Sequence, residues 1–203
     1  MTDDLDRRLA PPPTVPLDLG AFRTALAHRA DAEGLLDVAY ASYDSPLGRL
    51  TVIVTPRGLV RLSYPGEPVE SQLDELADRI SPRILEAPER TDDVRRQLDA
   101  YFAGHRRSFE VPIDWRLVRG FAGHVLRATA RIPFGETSSY REVAAAAGSP
   151  NAYRAAGNAL GSNPVPIVVP CHRVLHAGGG LGGYTGGLDR KRYLLTLEGA
   201  LPG

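Results

Sequence analysis

Cysteine is almost absent from this chain: of 203 residues, only Cys171 carries a thiol. One thiol forms no internal disulfide and supplies too few sulfur ligands for a cysteine-based metal site, so no metal is expected. No apolar run approaches the roughly 20 residues that a membrane helix needs, so no membrane role is expected either. The start, MTDDLDRRLAPPP, is charged and then proline-rich, without the apolar stretch of a secretory signal, which makes the cytoplasm the expected location. Net charge is missing too, because 24 basic and 24 acidic side chains cancel. Taken whole, that balance argues against a strongly cationic nucleic-acid binder. What remains is 43% hydrophobic and 24% charged, the balance of a folded chain with one ordinary domain or two small ones.

The zero hides an asymmetry. Residues 1–120 carry 16 arginines against 20 acids, and residues 121–203 carry eight basic side chains against four acids. A basic C-terminal half is the half expected to face an anion, with random fluctuation as the competing explanation. Texture changes at the same place. Residues 1–20 hold a proline cluster and read as an arm, and 18–33 have the pattern of a short helix. Strands are expected over 38–43, 50–55 and 59–64, with Pro56-Arg57-Gly58 as a turn. Helices are expected over 70–80 and 92–102 from the spacing of their apolar residues. No spacing of His, Cys or carboxylates in this half points to chemistry.

The second half is helical, then irregular. A helix is expected over 121–131. Ser139-Tyr140-Arg141-Glu142 has the form of a capping box opening a helix over 140–147, which Gly148 stops. Ser149 and Pro150 then read as the N-cap and first residue of a helix over 151–160. Two helices joined by a tight turn fit a helix-turn-helix, but spacing alone favours an ordinary helical hairpin with no partner. The second of them is built from Ala152, Ala155, Ala156, Gly157 and Ala159, a flat face that suits close approach to another backbone. Arg154 is its one long cation.

The densest segment is Asn163–Val174, NPVPIVVPCHRV. Three prolines and an apolar run stiffen and bury the lead-in to the only thiol, which is followed by His172 and Arg173. A cysteine held beside positive charge is a candidate nucleophile; a small buried apolar residue is the competing reading. On an extended strand Cys171 and His172 would face opposite ways, so a relay between them requires a turn or a water. An imidazole base also needs an orienting group, and Glu198 is the candidate, at the end of a helix over 189–197; taken alone, a surface glutamate at a helix end is the favoured reading of it. Seven of the ten residues 178–187 are glycine. Too little chain follows for a dinucleotide-binding unit, so the loop reads as open backbone that approaches a ligand, with Tyr184 and Thr185 at its tips. His172 and His176 have metal-ligand spacing only on a helix, which the flanking prolines and glycines oppose.

The run from Ile132 to Gly199, and above all its PCHRV core, resembles the O6-alkylguanine-DNA alkyltransferases, also called methylated-DNA–protein-cysteine methyltransferases. The Ser45-Pro46-Leu47-Gly48 turn and Tyr101-Phe102-Ala103-Gly104 extend the likeness more thinly back to about Leu36. The resemblance implies an α+β protein: a small ribonuclease H-like α/β domain over 36–116 and a helical DNA-binding domain with a helix-turn-helix over 117–203, after an arm of unknown role over 1–35. It implies irreversible, single-turnover transfer of a small alkyl group from O6 of a flipped-out guanine in duplex DNA, with O4 of thymine as a further target, to Cys171 itself. No cofactor is implied, and a monomer is expected, with clustering of several copies along DNA left open.

The family's motif assigns His172 as the base acting through a water, Glu198 as its orienter and Asn163 as the brace of the active-site turn. It assigns Tyr140 to the flipped base and its phosphate and Arg154 to the gap in the base stack. Ala155 and Gly157 belong to the small-residue face against DNA. Tyr184 walls the pocket, Thr185 lies near O6, and the carbonyls of Cys171 and Val174 read the guanine amine. Ala122 and Leu126 depart from the family's usual glutamine and tryptophan, a change of packing rather than of chemistry. Two rival functions are a non-catalytic alkyltransferase-like DNA-binding module, which Cys171 opposes, and a cysteine hydrolase, which leaves Arg154 unexplained.

Overall fold

The structure, a computed structural model, describes residues 18–201. The arm expected over 1–20 lies mostly outside them. Helix α1 (Leu19–Ala32) is capped by the Asp18 carboxylate, which accepts from the Gly20 and Ala21 amides. It is outward-facing along nearly its whole length and buries only Ala27.

Three strands follow where the alternation predicts them: β1 (Val38–Ser45), β2 (Gly48–Thr55) and β3 (Gly58–Ser63). They form an antiparallel meander, and a short β4 (Ile84–Glu86) pairs parallel with β1 to complete the order β3-β2-β1-β4. The three residues of β4 are too few to show a period, which is why sequence reasoning misses them. Helix α2 (Val69–Arg79) covers one sheet face, where Leu76 packs with Val38, Ile53 and Val60. Helix α3 (Asp92–Phe102) covers the other, and Leu98 and Tyr101 join Leu50, Val52 and Leu62 there. This second layer is continuous with the core of the helical half, through Leu126, Val143, Ala156, Val169 and Leu194.

In that half, α4 (Gly120–Thr129) and α5 (Tyr140–Ala146) both pack on α6 (Tyr153–Gly161). The capping box forms as expected: the Ser139 hydroxyl accepts from the Glu142 amide, and the Glu142 carboxylate accepts from the Ser139 amide at 2.6 Å. Gly148, at φ +86°, ends the turn after α5 in the left-handed region that favours glycine. The start of α6 needs correction. It begins at Tyr153 rather than 151, with Ala152 as an N-cap that makes no side-chain bond. The Ser149 carbonyl instead accepts from the Ala152 amide, which spends residues 149–152 on a turn. The last helix, α7 (Leu188–Leu197), closes the fold. No helix among the described residues is long and apolar enough to cross a membrane.

Candidate active site around Cys171

The segment before the cysteine is wound tight. Residues 165–170 are all buried. Val168 N–H bonds to the Pro166 carbonyl across a γ-turn centred on Ile167, whose φ of +72° is the only left-handed value outside glycine among the described residues. A buried β-branched residue there is strained, and it persists only because prolines and packing on both sides leave the chain no other course. A further turn at Pro170 brings Cys171 N–H to the Val169 carbonyl. Cys171–Arg173 then form a single 3₁₀ turn. The turn required for Cys171 and His172 to serve one site is therefore present.

Asn163 braces this segment from the end of α6. Its Nδ2 donates to the Val169 carbonyl at 2.8 Å and to Cys171 Sγ at 3.1 Å, while its Oδ1 accepts from the Val165 amide. Burial pushes the Cys171 thiol pKa above its usual value, against the opposing pull of the Asn163 bond and the Lys191 charge. At rest the sulfur is a thiol that needs a base.

His172 is fully buried, and its Nε2 lies 2.9 Å from Glu198 Oε1. Burial alone would raise the Glu198 carboxyl, but bonds from His172, Arg173 and Tyr101 outweigh it and hold the pKa at about 2. An ionised carboxylate only accepts, so the proton on this contact sits on Nε2. Burial lowers the His172 pKa and keeps the ring neutral. Nδ1 is then the unprotonated nitrogen, and this buried atom has no hydrogen-bond partner among the described residues. Glu198 is thus no surface glutamate. Arg173 forks it with two bonds of 2.8 Å, and the Tyr101 hydroxyl donates to it at 2.6 Å.

Tyr101 comes from α3, so the half in which the sequence shows no chemistry supplies a direct hydrogen bond to the Glu198 carboxylate. Tyr64, just past β3, is that half's second contribution, with its hydroxyl 2.6 Å from that of Tyr184. Lys191, the chain's only lysine, is the third group that sequence reasoning missed. It is fully buried on α7, donates to the Val174 carbonyl at 2.6 Å, and burial lowers its pKa to about 8. A lone lysine among polar neighbours gives no signal, since its burial is a tertiary fact. Its bond also qualifies the role expected for Val174, whose carbonyl has one lone pair engaged by Lys191 and one left for a ligand.

Two cavities adjoin at Tyr184 and Thr185, and the smaller of them reaches the sulfur. The larger, about 730 Å³, is lined by Tyr140, Arg154, Gly157, His176, Tyr184 and Thr185 among others. The smaller, about 270 Å³, holds Cys171 and Asn163 together with Tyr64, Tyr184 and Thr185. Gly186 lets the two tyrosines meet: a Cβ there would lie 2.6 Å from Tyr64 and 2.8 Å from Tyr184. Tyr140 packs at a tilt against His176 with ring centres 5.3 Å apart, and burial raises its hydroxyl pKa. Thr185 donates its hydroxyl to the Gly161 carbonyl at 2.6 Å. Arg154 and Ala155 are exposed on α6, and Ala155 lines neither cavity. The residues singled out from sequence thus divide in three: Cys171 and Asn163 at the sulfur, His172, Val174 and Glu198 buried behind it, and the rest around the open cavity or on α6. The described residues contain no group of three or more His, Cys, Asp or Glu side chains placed to hold a metal.

Residues 38–115 match the ribonuclease-like domain of 6-O-methylguanine DNA methyltransferase, and residues 120–200 match its DNA-binding domain. The chain belongs to that family. It is 42% identical over 161 residues to the methylated-DNA–protein-cysteine methyltransferase of Mycolicibacterium paratuberculosis, covering 79% of this chain and 92% of that one. The inducible enzyme of the same name from Bacillus subtilis is 37% identical over 145 residues, 71% of this chain and 80% of the other. Among solved structures, the Mycobacterium tuberculosis O6-methylguanine methyltransferase is 40% identical with a TM-score of 0.67, and its OGT in complex with DNA is 40% identical with a TM-score of 0.68. Each match covers 80% of this chain and 93% of the other. The chain is a DNA-binding methyltransferase of the mixed α+β kind, with a ribonuclease-like domain followed by a helical one, and its reaction class is alkyl transfer in DNA repair.

Proposed function

We propose that this methyltransferase repairs O6-alkylguanine in duplex DNA, with Cys171 as the acceptor that is consumed in one turnover. The observation that carries the assignment is the thiol fixed by Asn163 on a 3₁₀ turn, next to an imidazole whose other face is locked by Glu198. In this reading His172 Nδ1 takes the thiol proton through a bridging water. The thiolate attacks the alkyl carbon, the S–C bond forms, and the C–O6 bond breaks with its electron pair passing to guanine. Tyr140 donates a proton to the leaving base as that charge develops. A thioether has no good leaving group, so the protein is spent.

A base inside a duplex cannot present O6 to a buried sulfur, and flipping it out costs a few kcal/mol. Arg154, exposed on α6, fills the gap in the stack and offsets part of that cost. Ala155 and Gly157 leave the helix face low enough for close approach to the minor groove. Tyr184 and Thr185 bound the pocket, and the free lone pairs of the Cys171 and Val174 carbonyls read the base. The reading divides the chain into an arm of unknown role over 1–35, an α/β domain over 36–116 and the DNA-binding acceptor domain over 117–203. The protein acts as a monomer on chromosomal DNA in the cytoplasm.

The test is peptide mass mapping after incubation with a duplex containing O6-methylguanine. One added methyl on Cys171, at one equivalent per protein and abolished in Cys171→Ala, is the expected result. DNA binding without methyl transfer, or turnover of an ester or amide, overturns it.

A further inference from the structure

The sequence points to Arg154 and passes over the residue before it. Tyr153, the first residue of α6, is 41% exposed, one of few large apolar side chains left at the surface. Two guanidinium groups lie over its ring: Arg141 of α5 at 5.9 Å and Arg154 at 5.8 Å from the ring centre. All three line the larger cavity beside Tyr140 and Tyr184. Neither arginine forms an ion pair with a carboxylate among the described residues.

An exposed arginine samples many rotamers, and ordering it on binding costs affinity. An aromatic ring beside both arginines reduces that cost, because its negative face attracts each cation and limits where each one points. An exposed tyrosine is otherwise a poor choice at this place, since it neither caps α6 nor enters the core.

We propose that Tyr153 is a positioning residue that pre-orders Arg154 for entry into the duplex, with Arg141 held over the same ring. The proposal rests on the reading of Arg154 as the residue that fills the base stack. Tyr153 acts through the arginine and touches no reacting atom.

The experiment compares Tyr153→Leu, Tyr153→Phe and Arg154→Ala in single-turnover methyl transfer. The substrates are a duplex carrying O6-methylguanine beside 2-aminopurine, whose fluorescence reports unstacking, and the free base O6-methylguanine. For Tyr153→Leu the expected result is transfer from the duplex slowed about fivefold, the scale of two exposed cation–π contacts. The 2-aminopurine signal falls with it. Reaction with the free base, the melting temperature and the slope of binding against salt stay unchanged, because no charge and no core contact is lost. Tyr153→Phe, which keeps the ring face, restores duplex transfer, and Tyr153→Leu adds little to Arg154→Ala. Equal slowing on duplex and free base, or failure of phenylalanine to restore, overturns the positioning role. If Arg154→Ala slows duplex transfer and Tyr153→Leu does not, this inference alone fails. If Arg154→Ala leaves duplex transfer intact, the finger reading beneath it fails instead.

Discussion

The two halves of the molecule use arginine in opposite ways. In the ribonuclease-like half most arginines are tied to carboxylates. Arg83 forks Asp37, Arg61 and Arg79 share Glu75, and Arg116 forks the buried Asp114. In the helical half, Arg127, Arg131, Arg141 and Arg154 have no carboxylate partner among the described residues, and all four are exposed. An arginine paired to a carboxylate is already neutralised, whereas a free one is available to a phosphate. Net charge counts both kinds alike, which is why a total of zero says nothing about a DNA face. The one buried exception in the helical half is Arg173, whose partner is the orienting carboxylate itself.

The comparison breaks most readily at Glu198, where both halves meet. Glu198→Leu leaves Arg173 buried without its counter-charge, and a loss of about 3–5 kcal/mol of stability is expected in chemical denaturation. The pH dependence has a fixed sign. Glu198 titrates near 2 when folded against an ordinary 4.5, so its contribution is complete above about pH 4.5 and is lost as pH falls toward 2. Glu198→Gln is expected to flatten that acid limb of the stability curve, and an unchanged limb would place the loss elsewhere.

Tyr101→Phe is the next largest. It removes one bond to the carboxylate while keeping the ring packed against Phe102, Phe109 and Phe134. The expected cost is about 1.5–3 kcal/mol, the scale of a hydrogen bond to a charged group, together with slower methyl transfer in single-turnover assays. Stability lost with no change in rate would confine the α/β half to a structural part.

The smallest effect sharpens the arginine contrast directly. Arg141→Gln is expected to reduce the slope of log binding constant against log salt by about 0.9, one phosphate contact. Arg96→Gln, whose guanidinium already lies 3.2 Å from Asp93, is expected to leave the slope unchanged. Equal effects in fluorescence-anisotropy titrations would dissolve the distinction.

Much of the site was legible in the sequence because it is written locally. The proline-braced PCHRV segment, the capping box at Ser139 and the stop at Gly148 each need only a few neighbouring residues, and each stands where it was expected. The start of α6 was misplaced because Ser149 and Pro150 carry helix-start chemistry that a backbone turn used first. Tyr64, Tyr101 and Lys191 escaped notice for a different reason. Tyrosine and lysine are common surface residues, and no pattern along the chain marks the few that a fold will enclose. Tyr64 meets Tyr184 across 120 positions of sequence, and no window spans that.

Sequence by itself therefore determined the single thiol, the rigid lead-in that holds it, the family, and the excess of positive charge in the second half. Only tertiary structure decided that Glu198 is buried and ionised, which ring nitrogen of His172 is left to accept a proton, and that a tyrosine from the other half completes the cluster. The physical reason is that a side chain's reactivity depends on identity and local geometry, which the chain encodes in order. Its protonation state depends on burial and on charges brought within a few ångströms, and distant segments supply those only when they pack together.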